Sequence, residues 1–405
     1  MGFRTCTKIF LMVCANIILL NYGKESDMKY IHLSDFHLGK RVNEFSMIED
    51  QRYILKEILT IIKEERPDFV IIAGDVYDKS VPSEEAMQLW DEFLIRLAEK
   101  KVEVFAISGN HDSAVRFADH SMLVESTGIH LSPTYNGEAK HFTVSDEYGK
   151  ANIYLLPFIK PAVMRSIFPE ETISDYTDAV RIAVEHMDID ESERNILVAH
   201  QFVTGAARCE SEDVVVGGLD NVDSSVFDKF DYVALGHIHG KQRIGRDTVR
   251  YCGTPLKYSF SEKDHVKSVT IVEMGKKGEN VIRERVLTPL HDMREIRGAY
   301  SELMLKENYE GTATDDYIHV VLTDEMDVPN AMDNLRVVYR NIMKLSYDNK
   351  RTRLRQDLTN VSDAEMKTPI ELFSEFYEKQ NNQEMTERQR EFVSDCINVI
   401  WEENV

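Results

Sequence analysis

Short apolar segments that run directly into clusters of polar residues recur along the chain. Examples are FVIIA at 69–73, NILVA at 195–199 and YVAL at 232–235. Runs of this length and composition are typical of strands that are buried on both faces of a sheet. Between the first strands, residues 47–65 and 83–100 carry apolar residues at helical spacing. The alternation of strand and helix predicts an α/β fold in which helices cover the sheet.

Helices become rarer in the following part of the chain. Strand-like runs occur at 153–156, 249–252 and 268–272. We therefore expect a mixed sheet or two sheets packed together, and predict an α/β (α+β) fold built as a two-sheet sandwich flanked by helices.

The pattern changes at the GKKGEN turn and the proline that follows it. We predict one large domain over residues 28–288 and a small separate α/β unit over residues 289–350. The small unit has a strand at 317–322. A helix is expected to follow, with an apolar face formed by Met332, Leu335, Val338, Tyr339 and Ile342. Residues 351–367 are polar and are predicted to form a linker.

The C-terminal segment, residues 368–405, is predicted to contain two amphipathic helices. Their apolar faces consist of Ile370, Phe373, Phe376 and Tyr377 in the first helix and Phe392, Val393, Cys396, Ile397 and Ile400 in the second. Thr386 and Gln389 have the spacing of a capping box at the start of the second helix. Two short helices after a polar linker cannot bury these faces alone. They either dock on their own domain or bind a partner, and we favour the partner.

The first 27 residues allow two interpretations. Basic residues precede an apolar run at 9–20, broken only by Asn16, and this arrangement resembles a short signal-peptide core. Alternatively, Met28 is the true start, because the strand that begins at Lys29 already opens a complete domain. We favour the second interpretation, since five scattered cysteines without CxxC spacing are typical of a reducing compartment. We accordingly expect a cytoplasmic protein that does not associate with membranes.

The formal net charge is −22, whereas proteins that grip nucleic acid usually present a basic surface. A site that holds two divalent cations supplies its own positive charge, and a partner can provide most of the grip on DNA. The acidity therefore argues mildly against autonomous tight DNA binding, and it does not argue against phosphodiester chemistry.

Five polar motifs each follow an apolar strand. They are Asp35-Phe-His37, Gly74-Asp75-Val-Tyr-Asp78, Gly109-Asn110-His111-Asp112, His200 and Gly236-His237-Ile-His239. Strand carboxyl ends are where α/β sheets present ligand-binding groups. Carboxylate, imidazole and amide oxygen suit Mn²⁺, Fe²⁺ or Zn²⁺, and two such ions can activate a water and neutralise a phosphoryl group. Each motif alone would be an ordinary turn or surface group, but the five together indicate a two-metal phosphoesterase site.

The order DxH, GDxxD, GNHD, H, GHxH resembles that of the calcineurin-like metallophosphoesterases and covers residues 35–239. A closer similarity is to the SbcD family of bacterial exonuclease subunits, from Met28 to about residue 290. It is carried by IHLSDFHLGK, VIIAGDVYDKSVPS, ISGNHDSAVRF, LLPFIKPA, VALGHIHGKQ and RYCGTPLKYSFSE. The last of these segments lies outside the metal motifs, so shared catalytic chemistry alone does not explain the similarity.

The resemblance implies the calcineurin-like phosphoesterase fold and two divalent ions, with Mn²⁺ the expected metal. Asp35, His37 and His239 would hold one ion, Asn110, His200 and His237 would hold the other, and Asp75 would bridge them. His111 would stand beside the leaving oxygen as general acid or charge stabiliser. Asp78 would orient His111, as the equivalent aspartate does in related phosphatases, although some nucleases of the family have histidine there.

The resemblance also implies an ATP-dependent exonuclease on duplex DNA ends and an endonuclease on single strands and hairpins, acting in DNA end processing, recombination and repair. The partner would be an SbcC-type ATPase, bound by the helices of residues 368–405. Residues 289–350 would form a capping domain that helps to place DNA. Helices near 83–99 and 113–126 would form a homodimer contact within a heterotetramer.

Two other functions stay open on the same residues. A phosphomonoesterase or protein phosphatase would use the same pair of metals, but phosphoprotein phosphatases usually continue the GDxxD motif with Arg-Gly, and this chain has Lys79-Ser80. A scaffold that has lost its metals is disfavoured because all seven candidate ligands are residues of a metal-binding type.

Overall fold

The structure is a computed structural model that describes residues 27–119, 121–212, 221–350, 352, 368–381 and 385–404. The predicted leader, apart from residue 27, and the predicted linker, apart from residue 352, lie outside these ranges.

The described strands and helices follow in chain order. The strands are β1 (Met28–Leu33), β2 (Arg41–Val42), β3 (Phe45–Ser46), β4 (Phe69–Ala73), β5 (Glu103–Ile107), β6 (Ile129–Leu131), β7 (Lys140–Asp146), β8 (Gly149–Leu156), β9 (Arg194–His200), β10 (Tyr232–Gly236), β11 (Gln242–Ile244), β12 (Arg246–Tyr251), β13 (Ser268–Met274), β14 (Asn280–Val286), β15 (Met293–Gly298), β16 (Tyr317–Leu322) and β17 (Ile342–Tyr347). The helices are α1 (Ile48–Glu65), α2 (Glu84–Glu99), α3 (Ala114–Phe117), α4 (Ser121–Val124), α5 (Pro161–Ile167), α6 (Tyr176–Glu185), α7 (Tyr300–Leu303), α8 (Lys306–Tyr309), α9 (Ala331–Arg336), α10 (Pro369–Asn381) and α11 (Glu387–Asn404).

Two six-stranded sheets form the large unit. Their strand orders are β14-β13-β1-β4-β5-β6 and β11-β12-β10-β9-β8-β7. In the first sheet β1, β4, β5 and β6 are parallel, and β13 runs antiparallel to β1. Apolar side chains of both sheets share one core, in which Tyr30 stacks on Phe69 and meets Tyr232 of the other sheet edge-on. The predicted two-sheet sandwich is confirmed.

Helices cover the outer faces of both sheets. Helices α1 and α2 pack on the first sheet, and α5 and α6 pack on the second. Helix α2 begins as predicted after Ser83, whose hydroxyl accepts a hydrogen bond from the Ala86 amide at 3.3 Å. Helix α1 ends at Glu65, where Arg66 adopts a left-handed conformation before Pro67. The helices therefore lie outside the sandwich, and the strand ends are left to meet at one edge.

The small unit contains a parallel sheet in the order β15-β16-β17. The predicted strand at 317–322 matches β16, but the predicted helix is too long. Helix α9 ends at Arg336, and Ile342 opens β17. Leu335, Tyr339 and Ile342 still face one core, because a short helix followed by a turn keeps their apolar side chains on the same side.

The C-terminal segment forms two helices, α10 and α11, which contact each other. The capping box is present, since the Thr386 amide donates to Gln389 Oε1 at 2.9 Å and the Gln389 amide donates to Thr386 Oγ at 3.4 Å. Phe392 on α11 is 69% exposed, and Phe373 on α10 is 40% exposed. Among the described residues, no helix is both long and apolar enough to cross a membrane.

Candidate metal centre

The five motif loops meet at the edge where β1, β4, β5, β9 and β10 end. Asn110 Oδ1 lies 3.0 Å from His200 Nε2 and 2.9 Å from His237 Nδ1. His200 Nε2 is also 3.3 Å from Asp75 Oδ2. The three candidates for the second ion are therefore together, with the candidate bridging carboxylate beside them.

The candidates for the first ion form a second group around the same carboxylate. Asp35, His37 and His239 can each place a ligand atom within 4.8 Å of the others. His37 Nε2 lies 3.1 Å from His239 Nε2 and 3.7 Å from Asp75 Oδ2. Because Asp75 Oδ2 is close to His37 and to His200, this oxygen occupies the position that a shared ligand requires.

Four of the seven candidate residues have a left-handed backbone, which is uncommon for residues other than glycine. The φ angles are 54° at Asp35, 44° at His37, 50° at Asp75 and 105° at His237. Hydrogen bonds connect the loop of the first motif to the loop of the second. The Asp35 amide donates to the Gly74 carbonyl and the His37 amide donates to the Asp75 carbonyl, both at 3.0 Å. Strained backbone of this kind persists where the surrounding fold holds side chains in a functional arrangement.

Burial sets the charge states of the site. The pKa of Asp35 is raised to about 7, chiefly by burial. Burial also lowers the pKa of His237 to about 3 and that of His37 and His239 below the usual value. These imidazoles are therefore neutral at pH 7, which is the form that binds metals.

Asp75 and His200 form the exception. Burial opposes both charges, but the neighbouring imidazoles hold the pKa of Asp75 well below its usual range. Burial likewise disfavours the charged His200 ring, but the Asp75 carboxylate outweighs it and raises the pKa of His200 to about 9. A proton on His200 thus supplies the positive charge that this group of buried acceptors needs, which is the role that a divalent cation fills.

The donor set fits divalent metal ions. His200 Nδ1 lies 2.8 Å from the Ala73 carbonyl, so it must be a donor, and Nε2 is directed at the other acceptors. Within the described part of the chain, the buried His37 Nδ1 has no hydrogen-bond partner, while its Nε2 faces another imidazole. The lone pairs of imidazole nitrogens and of carboxylate and amide oxygens repel one another when they face each other. A cation between them removes this repulsion.

Close approach of the loops requires glycine at several motif positions, most tightly at Gly109 and Gly236. A Cβ on Gly109 would lie 2.1 Å from Asp75 Oδ1, and one on Gly236 would lie 1.8 Å from the Ala73 carbonyl oxygen. The glycines of the GN and GH pairs thus let the third and fifth motifs approach the second.

The Gly236→Ala variant should lose stability, because neither the Ala73 carbonyl nor the β10 backbone can move without opening the sandwich. We expect a loss of about 3 kcal/mol or more, at the upper end for overpacked cores. Urea unfolding of the metal-free protein measures it. Gly275→Ala is the control, since its Cβ would meet nothing closer than 3.4 Å. Equal unfolding midpoints for the two variants would contradict the close approach.

His111 lies beside the seven candidates and is more open to solvent. Its side chain is 19% exposed, compared with 2% for Asp75. The His111 amide donates to Asp75 Oδ1 at 3.0 Å, and His111 Nε2 lies 3.9 Å from Asp75 Oδ2. The ring is thus placed at the mouth of the site, where a substrate would enter.

The structure refines the role expected of Asp78. His111 Nδ1 lies 3.0 Å from the main-chain carbonyl of Asp78, whereas the Asp78 carboxylate accepts from Lys40 Nζ at 2.7 Å. The His111 ring thus contacts the backbone of Asp78, while the Asp78 side chain pairs with Lys40. His37, Asp78 and His111 also form a group that could hold an ion, so the geometry leaves His111 as a possible ligand as well.

Sequence reasoning missed several residues that support the site. Asp112, the last residue of the third motif and not among the predicted site residues, is buried and accepts hydrogen bonds from the amides of Val76, Tyr77 and Gly109, so it joins the second and third motifs. Gln51 of α1 donates to the His37 carbonyl at 2.7 Å. Its position on the apolar face of a helix, where a buried polar side chain needs a partner, was the available signal.

Family models and related proteins match most of this chain. Residues 28–241 match the family model described as calcineurin-like phosphoesterase, and residues 289–381 match the one described as type 5 capsule protein repressor C-terminal domain. The chain is 31% identical over 383 residues to the SbcD subunit of the nuclease SbcCD from Staphylococcus saprophyticus, covering 93% of this chain and 99% of that protein. It is 29% identical over 384 residues to the protein of the same name from Staphylococcus epidermidis, covering 92% and 99%.

Proposed function

The chain belongs to the calcineurin-like phosphoesterase family and, within it, to the SbcD family of nuclease subunits, and from this premise we propose that it hydrolyses DNA phosphodiesters in an SbcCD-type complex. The observation that carries the proposal is that seven ligand-type side chains form two adjoining groups at the ends of strands from both sheets, with the buried Asp75 Oδ2 close to His37 of one group and His200 of the other. The cellular roles that follow are DNA end processing, recombination and repair.

In this proposal Asp35, His37 and His239 hold one ion, Asn110, His200 and His237 hold the other, and Asp75 bridges them. The ion is Mn²⁺, the metal that the resemblance to the SbcD family implies, and the nitrogen and oxygen ligand set without thiolate is compatible with it. When bound, two such ions supply the charge that neutralises a phosphoryl group and lowers the pKa of an attacking water. The strained loops keep the ligands fixed before the substrate arrives.

His111 is the group proposed to act on the substrate itself. Its Nδ1 contacts the Asp78 carbonyl, and its Nε2 faces the candidate ligands, 3.9 Å from Asp75 Oδ2, while the side chain stays partly exposed to solvent. From that position a protonated ring can donate to the leaving oxygen or stabilise the charge that forms on it. In the proposal Asp78 acts on this ring through its backbone, while its carboxylate holds Lys40.

The acidic chain is expected to share the grip on DNA with an SbcC-type ATPase, since its own net charge of −22 repels phosphate. Residues 28–288 form the nuclease domain in this proposal, residues 289–350 form a cap, residues 351–367 link it to the tail, and the helices of residues 368–405 bind the ATPase. The large exposed fraction of Phe392 supports a partner for the tail.

The Phe392→Glu variant should lose binding to the ATPase subunit, because an exposed aromatic side chain on an amphipathic helix is typical of an interface hot spot. Loss of about 2 kcal/mol corresponds to roughly a 30-fold weaker complex. Surface plasmon resonance with the immobilised ATPase measures it. Val337→Glu, an equally exposed change in the small unit (79% exposed), should bind as the wild type does. Unchanged binding of Phe392→Glu would refute the assignment of the tail.

A homodimer within a heterotetramer is the proposed assembly. Helices α2, α3 and α4 carry the exposed apolar side chains Met87, Ile95, Val115, Met122 and Leu123. Exposed apolar side chains of this size support an interface when they form one patch. We also propose a cytoplasmic location, supported by the unpaired Cys209, Cys252 and Cys396.

A nuclease assay with Mn²⁺ tests the complete proposal. The substrates are blunt duplex, hairpin and single-stranded DNA, each with and without the ATPase subunit and ATP. We expect hairpin and single-strand cleavage, and duplex degradation that depends on ATP. Duplex degradation at the same rate with and without ATP and the ATPase subunit would contradict the proposed assembly.

A phosphomonoesterase or protein phosphatase is the alternative on the same centre. Lys79-Ser80 after the GDxxD motif does not favour it, because phosphoprotein phosphatases usually have Arg-Gly at these positions. Hydrolysis of p-nitrophenyl phosphate without any cleavage of DNA would support this alternative.

A further inference from the structure

The segment RYCGTPLKYSFSE, residues 250–262, lies outside the metal motifs, yet it packs against His37 and His239, which are candidate ligands of the first ion. The Tyr258 ring lies 5.8 Å from the His37 ring and 6.2 Å from the His239 ring. The last residue of the segment, Glu262, is completely buried. A buried carboxylate so close to a metal group requires a physical reason, because its charge is costly without partners.

Glu262 has partners on both oxygens. Lys267 Nζ forms an ion pair with Oε2, and the Tyr258 amide donates to Oε1 at 3.1 Å. Ser211 Oγ donates to the same Oε1 at 2.5 Å. The ion pair keeps Glu262 a carboxylate, and a carboxylate only accepts hydrogen bonds.

The hydroxyl of Ser211 lies between Glu262 and a candidate metal ligand. Ser211 Oγ is 2.7 Å from His239 Nδ1, whereas Glu262 Oε1 itself is 3.8 Å from that nitrogen. A serine hydroxyl has a single proton to donate, and the hydroxyl of Ser211 donates it in the hydrogen bond to Glu262. His239 Nδ1 must therefore donate to Ser211, which leaves the His239 Nε2 lone pair directed at His37 Nε2, 3.1 Å away.

The same network fixes the backbone of His239. Its amide donates to Glu212 Oε1 at 2.6 Å, and its carbonyl accepts from Lys267 Nζ at 3.0 Å. Lys267 thus contacts both Glu262 and His239. Ser211, Glu262 and Lys267 therefore form one connected group that contacts both the ring and the backbone of His239.

We propose that Glu262, acting through the Ser211 hydroxyl, is a positioning residue that holds His239 in the tautomer and orientation that present Nε2 to a metal ion. Other histidines of the site are held differently. His200 and His111 direct Nδ1 at main-chain carbonyls, and His37 Nδ1 has no hydrogen-bond partner among the described residues. Partners on the far ring nitrogen also raise the basicity of a metal-binding histidine. The segment 250–262 therefore serves the metal site without supplying a ligand.

The test is titration calorimetry of the full chain with Mn²⁺ alone, without DNA. This inference rests on the proposed two-metal site, so wild-type protein that binds no Mn²⁺ would defeat that site first. With two ions bound by the wild type, Ser211→Ala should weaken one of the two sites about 10- to 100-fold and leave the other unchanged. Ser211→Thr keeps a hydroxyl and should bind within about threefold of the wild type.

Ser261→Ala is the matched control. Ser261 is exposed in the same segment and contacts Ser259 and the Glu210 amide rather than Glu262 or His239. It should leave both affinities unchanged. Wild-type affinities in Ser211→Ala, or equal impairment in Ser211→Ala and Ser211→Thr, would overturn the inference.

Discussion

Asp75→Asn should lose both metal binding and DNA cleavage. Asparagine has the same shape and keeps Oδ1 as the acceptor for the His111 amide, so the loop has no steric reason to move. The second carboxylate oxygen, which lies near His37 and His200, becomes an amide donor without charge. Loss of the bridging charge removes several kcal/mol of transition-state stabilisation, so we expect kcat to fall at least about a thousandfold.

Metal content and cleavage rate are measured on the same Asp75→Asn sample. Asp247→Asn is the control, because its carboxylate is 70% exposed and pairs with Arg243 rather than with a candidate ligand. The control should keep both metals and the wild-type rate. Two bound metals in Asp75→Asn would show that Asp75 does not bridge them.

His111→Gln should keep the metals and lose cleavage. Glutamine can still donate to the Asp78 carbonyl, but it carries no proton that it can give to a leaving oxygen. Loss of a general acid typically lowers kcat by about 10² to 10⁴. Rates are measured at saturating Mn²⁺ on single-stranded DNA, with Mn²⁺ stoichiometry measured by calorimetry on the same protein.

His141→Gln, an exposed histidine on β7, is the matched control and should cleave at the wild-type rate. The two results that would contradict the role of His111 point in different directions. A normal cleavage rate would remove His111 from the chemistry. Loss of one metal would instead make His111 a ligand, as its proximity to His37 and Asp78 allows.

The parts of the fold that the sequence predicted are those where one residue pattern has one structural solution. Continuous apolar runs such as FVIIA became β4, buried along its whole length. The edge strand β14, NVIRERV, has three consecutive charged residues and no such run, so this pattern does not define its bounds. The predicted helix near residue 340 was too long because a pattern again had two solutions. Leu335, Tyr339 and Ile342 have helical spacing, although Ile342 begins a strand.

The candidate metal ligands could be predicted because each directly follows a strand, and strand ends meet at one edge of an α/β sheet. Supporting residues follow no such rule. Ser211 and Glu262 are 51 positions apart, and only the path of the folded chain brings both to His239. Asp78 was expected to orient His111, but the sequence could not show that its carbonyl lies beside His111 Nδ1 while its carboxylate pairs with Lys40, because the position of Lys40 is a property of the folded loop.

The most direct measurement of the central claim compares two substrates with the purified chain and Mn²⁺. One is circular single-stranded DNA, which has only phosphodiester bonds and no ends, and the other is p-nitrophenyl phosphate, a monoester. We predict that the chain cuts the circle, that cutting stops when Mn²⁺ is chelated, and that Asp75→Asn does not cut. Hydrolysis of p-nitrophenyl phosphate while the circle stays intact would contradict a nuclease.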